Sequence, residues 1–193
     1  MKPLPGIEKR DGYRSINMKP VFLIGYMGCG KTTLGVELAQ QMDLTYIDLD
    51  EYIEVLQGMS IVDIFNNMGE KRFRELEREA LHDVAAMNDV IVGCGGGTPC
   101  HNDNMTMMND AGTTVWLTTS PQRLTARLVL PEQKCKRPKI LTLNNDEVLD
   151  FVISELAVRT PYYQQAKLTF DSTDIETAEA TVHTAQRLAN LLQ

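Results

Sequence analysis

Short apolar runs alternate along the chain with longer amphipathic stretches. "PVFLIG" (20–25) is an apolar run bounded by Pro20 and Gly25, which predicts a strand buried on both faces. "KTTLGVELAQQM" follows, with Leu34, Leu38 and Met42 at helical spacing, and "TYIDLD" (45–50) reads as a second strand. Ser60 and Asp63 open "SIVDIFNNMG" as a capping pair, while Ile61, Ile64, Phe65 and Met68 share one face. A further helix is predicted over about 70–87, through Phe73, Leu76, Ala80 and Val84. "DVIVGCG" (89–95) and "TTVWLT" (113–118) are the third and fourth strands, and "SPQRLTARL" (120–128) is a helix capped by Ser120 with Pro121 at its first position. After the polar stretch "PEQKCKRPKILTLNND" (131–146) come a helix over about 146–165, a fifth strand "KLTFDS" (167–172) and a last helix from Thr173 or Asp174 to Leu192. Strands alternating with helices imply right-handed crossovers and a parallel sheet covered on both faces: an α/β domain.

Composition narrows the partners. The 193 residues are 43% hydrophobic, and no run is long enough to cross a bilayer, so no membrane role is expected. A net charge of −7, with basic residues scattered apart from the short group Lys134, Lys136, Arg137 and Lys139, argues against nucleic acid. The cysteines Cys29, Cys94, Cys100 and Cys135 form no C-x-x-C pair, which argues against zinc and for a reducing, cytoplasmic setting. Residues 1–17 carry Pro3, Pro5, Gly6 and Gly12 without periodicity and read as a flexible N-terminal extension. We place it at 1–18, with a single domain over 19–193; "MKP" occurs at both Met1 and Met18, making Met18 a candidate natural start.

"GYMGCGKT", Gly25 to Thr32, matches G-x-x-x-x-G-K-[ST] and lies between a strand and a helix, where a phosphate-binding loop must lie. Around Gly28, Cys29 and Gly30 the backbone N–H groups curl about phosphate oxygens, and Thr33 sits in the first helical turn. Lys31 reaches the β- and γ-phosphates and the Thr32 hydroxyl ligates Mg²⁺, so ATP and Mg²⁺ are expected. Cys29, at a helix N-terminus beside a lysine, is either an activated thiol or a small residue filling the loop. No Asn-Lys-x-Asp segment reads guanine, which argues against a GTPase, and the third strand ends in glycines rather than the acid typical of a motor ATPase. Asp48 and Asp50, two apart at a strand end, face the same way under that reading: one for Mg²⁺, the other for an acceptor hydroxyl. Paired acids at strand ends also occur as solvated loop groups.

"GYMGCGKTT", "YIDLDEYIE", "SIVDIFNNMGEKRFRELE", "GCGGGT", "KRPKIL" and "VRTPYYQQA", in this order over about 20–172, resemble the shikimate kinase family. The resemblance implies a three-layer, nucleoside-monophosphate-kinase-like P-loop fold with a five-stranded parallel sheet of order 2-3-1-4-5. It implies ATP-dependent phosphorylation of the shikimate 3-hydroxyl, in the biosynthesis of chorismate and the aromatic amino acids, by a monomeric cytoplasmic enzyme. It places Asp50 on the ring hydroxyls as the catalytic carboxylate, Arg74 and Arg159 on the substrate carboxylate, and Phe65 and Phe73 as ring walls, within an acceptor subregion at about 49–78. Glu77, one turn after Arg74, is spaced to hold that guanidinium. Lys31 and Arg137 flank the transferring phosphoryl group, Arg137 from a lid at about 129–143; Arg127 stacks on adenine; and Thr32 and Asp48 hold the metal. The rivals are another small-acceptor kinase, such as one acting on gluconate, and a catalytically silent nucleotide-binding regulator.

"VGCGGGTPC" (92–100) is the remaining oddity, because glycine is costly in backbone entropy. No Lys-[ST] follows it, so it is not a second phosphate loop, and Cys94, Cys100 and His101 have no partner cluster for a metal. Gly95, Gly96 and Gly97 end the third strand at the sheet edge where α/β ligands bind, and are expected to form the floor of the acceptor pocket.

Overall fold

The computed structural model describes residues 17–135 and 137–193; the expectation for an N-terminal extension falls, up to residue 16, outside the described residues. Five parallel strands, β1 (Val21–Ile24), β2 (Thr45–Asp48), β3 (Val90–Gly93), β4 (Thr113–Thr118) and β5 (Leu168–Asp171), form one sheet of order β2-β3-β1-β4-β5. Phe22 pairs with Val92 on one side and Thr114 on the other, and β1 and β3 are buried at every position. Continuous apolar runs at the sheet centre follow from helices covering both faces. Helix α1 (Lys31–Met42) packs on β2, β3 and the C-terminal α9 (Ala178–Leu192), while α5 (Pro121–Leu128) packs on α8 (Asn145–Tyr163). Asn17 and Met18 are tied to the turn before β3: Asn88 bonds Asn17, and Asp89 accepts from the Met18 amide at 2.8 Å.

Several boundaries depart from the pattern-based expectation. The second strand ends at Asp48, and α2 (Leu49–Gln57) begins at once, because the Asp48 carboxylate caps it by accepting from the Asp50 and Glu51 amides at 3.1 and 3.5 Å. Asp50 therefore lies in the first turn of a helix, not two residues along a strand. The helices expected over 60–69 and 70–87 form one run, α3 (Ile61–Ala85), broken at Gly69, where φ is 77°. Helix α4 (Asn104–Ala111), absent from the sequence reading, follows a 3-10 turn at Thr98–Cys100. The polar stretch holds two single turns, α6 (Pro131–Lys134) and α7 (Pro138–Leu141). Helix α9 starts later than expected, at Ala178, capped by the Thr177 side chain on the Ala180 amide. The side chain of Ile175, counted in the sequence as part of that helix, instead lies over Gly30, its Cδ1 2.1 Å from where a Cβ would stand.

Candidate active site

The β1–α1 loop, Asp48, Asp50 and the glycines that follow β3 gather at the C-terminal edge of the sheet. The β1–α1 loop turns through Gly28 (φ 82°) and Gly30 (φ 97°), conformations L-residues rarely adopt. Gly30 caps α1 without a side-chain bond, leaving the first-turn N–H groups directed outward, with Lys31 half-buried and Thr32 and Thr33 exposed beside them. Ser172 and Arg127 set the loop's shape from behind. The Ser172 hydroxyl donates to the Cys29 carbonyl at 2.7 Å, and Arg127 donates to the carbonyls of Gly28 (3.0 Å) and Thr173 (2.8 Å) and to Glu176. Lys31 Nζ donates to the carbonyls of Gly25 and Tyr26 at 2.8 and 3.0 Å. Cys29 is only 1% exposed, and its thiol packs inside the loop, 3.8 Å from Lys31 Nζ.

Beside the loop, the Thr32 hydroxyl stands 3.4 Å from Asp48 Oδ2, a pair of oxygen donors at the mouth of the phosphate site. Asp50, two residues on in the first turn of α2, is half-buried, and its carboxyl is pushed up to about 6. Burial is the chief cause, reinforced by the carboxylates of Asp48 and Glu77 and opposed by Lys31.

The three consecutive glycines show why side chains are absent there. A Cβ on Gly95 would stand 3.2 Å from Asp50 Oδ1, one on Gly96 3.3 Å from Arg159 Nη1, and one on Gly97 3.1 Å from Arg74 Nη2. Gly96 and Gly97 each make room for one guanidinium, from α8 and α3, while Gly95 makes room for Asp50 of α2 together with Thr98 Oγ1 at 3.0 Å and Glu77 Oε1 at 3.5 Å. Arg74 is held by Glu77 at 3.0 Å and Glu70 at 3.1 Å, and its guanidinium lies 5.0 Å from the Phe73 ring centre. Glu77 is 1% exposed and also accepts from the Thr98 hydroxyl at 2.6 Å, so the arginine rests on a fully buried anchor. Phe65 and Phe73 stack with ring centres 4.6 Å apart, Phe65 the more exposed. Arg159 pairs with Glu155 one turn earlier and sits 5.3 Å over the Tyr26 ring. Arg137 lies outside this cluster, donating to the backbone and side chain of Gln133 in its own segment.

Sequence reasoning passed over several supporting groups, among them Thr98, Glu70, Glu155, Tyr26 and Ser172, and also Tyr163, whose hydroxyl donates to the Gly96 carbonyl. Glu70 and Glu155 carried a readable signal, each four residues before its arginine on a helix. The others are brought in by tertiary packing. Among the described residues no cluster of three or more His, Cys, Asp or Glu is arranged to hold a metal, and no helix is long and apolar enough to cross a membrane.

A glycine-rich loop opening a helix, with an acid pair beside it and two ion-paired arginines at the neighbouring glycines, marks the class of P-loop kinases. The comparisons narrow the class. A model of the family Shikimate kinase matches residues 27–189, most of the chain. The shikimate kinase of Parabacteroides distasonis is 46% identical over 168 residues, covering 86% of this chain and 94% of that protein. Among solved structures, the shikimate kinase of Bacteroides thetaiotaomicron superposes with a TM-score of 0.86 at 42% identity, covering 91% of this chain and 98% of that one. The Acinetobacter baumannii shikimate kinase, solved in complex with shikimate, gives 0.74 at 29% identity, covering 91% and 93%. The chain belongs to the shikimate kinase family.

Proposed function

We propose that this enzyme transfers the γ-phosphoryl group of ATP to the 3-hydroxyl of shikimate, giving shikimate 3-phosphate and ADP, within the supply of chorismate and the aromatic amino acids. The observation that carries the assignment of residues is the glycine floor, approached by the Asp50 and Glu77 carboxylates, the Thr98 hydroxyl and two guanidinium groups. Those groups match the acceptor: Arg74 and Arg159 pair with its carboxylate, Asp50 takes the ring hydroxyls, Phe65 and Phe73 wall the ring, and the backbone of Gly95, Gly96 and Gly97 supports it. With its carboxyl near 6, Asp50 is ionised at neutral pH and can accept the proton of the attacking hydroxyl. That oxygen forms the new bond to the γ-phosphorus as the bond to the β–γ bridging oxygen breaks, leaving ADP.

Gly28, Cys29, Gly30, Lys31, Thr32 and Thr33 hold the phosphates, and Lys31 neutralises charge on the transferring group. The Thr32 hydroxyl and Asp48 carboxylate are hard oxygen donors of the kind Mg²⁺ takes in small number, so the site fits that ion. Bound there, Mg²⁺ would neutralise phosphate charge. Arg127 stacks on the adenine, and Arg137 enters from a lid at about 129–143 to complete the charge balance and exclude water. Residues 49–78 form the acceptor subregion within a single domain at 19–193. A monomer suffices, because one chain supplies every group named, and the free thiols Cys29, Cys94, Cys100 and Cys135 suit a cytoplasmic enzyme. A coupled assay of ADP release tests the reading: turnover is expected with shikimate and not with gluconate or without acceptor. Equal rates with gluconate would refute it.

A further inference from the structure

The glycine floor has a support that neither the phosphate loop nor the arginines provide. Tyr163, at the C-terminal end of α8 and fully buried, donates its hydroxyl to the Gly96 carbonyl at 2.6 Å across 67 residues of chain. Its ring lies 5.9 Å from that of Trp116 on β4, so the side chain is anchored against the sheet. Burial holds the phenol above its ordinary value, against the pull of Arg159, so the hydroxyl stays a donor at every working pH. Gly96 is the middle residue of the floor. A Cβ there would lie 3.3 Å from Arg159 Nη1, 3.5 Å from the Gly25 carbonyl and 3.6 Å from the Met27 amide, so this peptide separates the acceptor arginine from the start of the phosphate loop. Gly96 is half-buried, and the Tyr163 hydroxyl satisfies its carbonyl from the covered side.

We propose that Tyr163 is a positioning residue for the acceptor, acting through the Gly96 peptide to set the floor against Arg159 without touching substrate. The inference rests on the reading of Gly96 and Arg159 as parts of the shikimate site. It assigns a function to the last tyrosine of "VRTPYY", whose arginine the reading already uses. Arg159 and Tyr163, four apart on one face of α8, also meet each other, so the phenol joins the arginine to the Gly96 peptide: the first faces the substrate carboxylate and the second holds arginine and backbone in register.

The test is Tyr163→Phe, which keeps the ring and its packing and removes only the hydroxyl. Shikimate KM is expected to rise about three- to ten-fold, the range a lost buried hydrogen bond allows, with ATP KM changed less than about two-fold. Val152→Ala, which opens a cavity in the buried face of α8 away from Gly96, serves as control: it should lower Tm and leave both KM values alone. Arg159→Lys tests the underlying site and should raise shikimate KM. If Arg159→Lys raises shikimate KM and Tyr163→Phe does not, or if Tyr163→Phe raises both KM values equally, the positioning role is overturned. If Arg159→Lys leaves shikimate KM unchanged, the site reading itself fails.

Discussion

Asp50→Asn should make the protein more stable while disabling it. In the folded chain this carboxyl ionises near 6 instead of its ordinary 3.8, chiefly because it is buried and next because Asp48 and Glu77 face it. Between those pH values the folded state binds more protons than the unfolded one, so stability falls as pH rises from about 4 to about 6 and stays lower above. The gap corresponds to about 3 kcal/mol, an upper bound because the group is only half-buried by area. An amide of the same shape carries no charge, and we expect Asp50→Asn to gain about 1–3 kcal/mol at pH 7.5, a Tm rise of about 3–9 °C for a chain of this size. At pH 4 the wild-type carboxyl is already protonated, and the gain should vanish. Over the same substitution kcat should fall about 10²- to 10⁴-fold through loss of the proton acceptor. Thermal unfolding at both pH values, with the coupled ADP assay, measures all of this. A variant less stable at pH 7.5, a gain equal at both pH values, or an undiminished kcat would refute the reasoning.

The other expectations follow from the same contacts. In the wild type, kcat/KM should fall about tenfold per pH unit below about 6 as Asp50 protonates; Glu77→Gln, which removes one of the facing charges, should move that limb to lower pH. Glu77→Gln should also raise shikimate KM, because Arg74 loses its buried charged anchor, and an unchanged KM would show that Glu70 alone suffices to hold the guanidinium. Lys31→Ala and Arg137→Ala should act mainly on kcat, by about 10²-fold or more, and a pure KM effect would remove them from the transferring group. Gly96→Ala should weaken shikimate before ATP, since its Cβ crowds Arg159 at 3.3 Å but meets the phosphate loop at ordinary contact distances; equal losses would contradict the floor assignment.

How far the sequence speaks varies by element. The central strands were legible because β1 and β3 are buried on both faces and so read as unbroken apolar runs. Helix α2 was not, because a strand-end acid looks the same whether it continues the strand or, as Asp48 does, turns back to cap a helix. "NMTMMNDA" in α4 has little helical period, and crossover geometry more than pattern makes it a helix. Ile175 misled because its spacing suits α9 while its side chain serves the phosphate loop. At the site, spacing alone named the phosphate loop and the acid pair, because bound phosphate demands those chemistries at fixed offsets, while the arginines were named only through the family resemblance. Thr98 and Tyr163 were silent, because what they do is decided by partners 21 and 67 residues away.

Arg74 as the fork for the substrate carboxylate is where the account is most exposed. Calorimetric titration of shikimate and its carboxamide, against wild type and Arg74→Lys, isolates that contact by a cycle of one ligand change and one protein change. Losing the carboxylate should weaken wild-type binding about 10- to 100-fold, as for a charge-assisted pair, and this penalty should shrink at least about threefold in Arg74→Lys. Penalties of equal size in the two proteins would mean that Arg74 and the carboxylate do not meet.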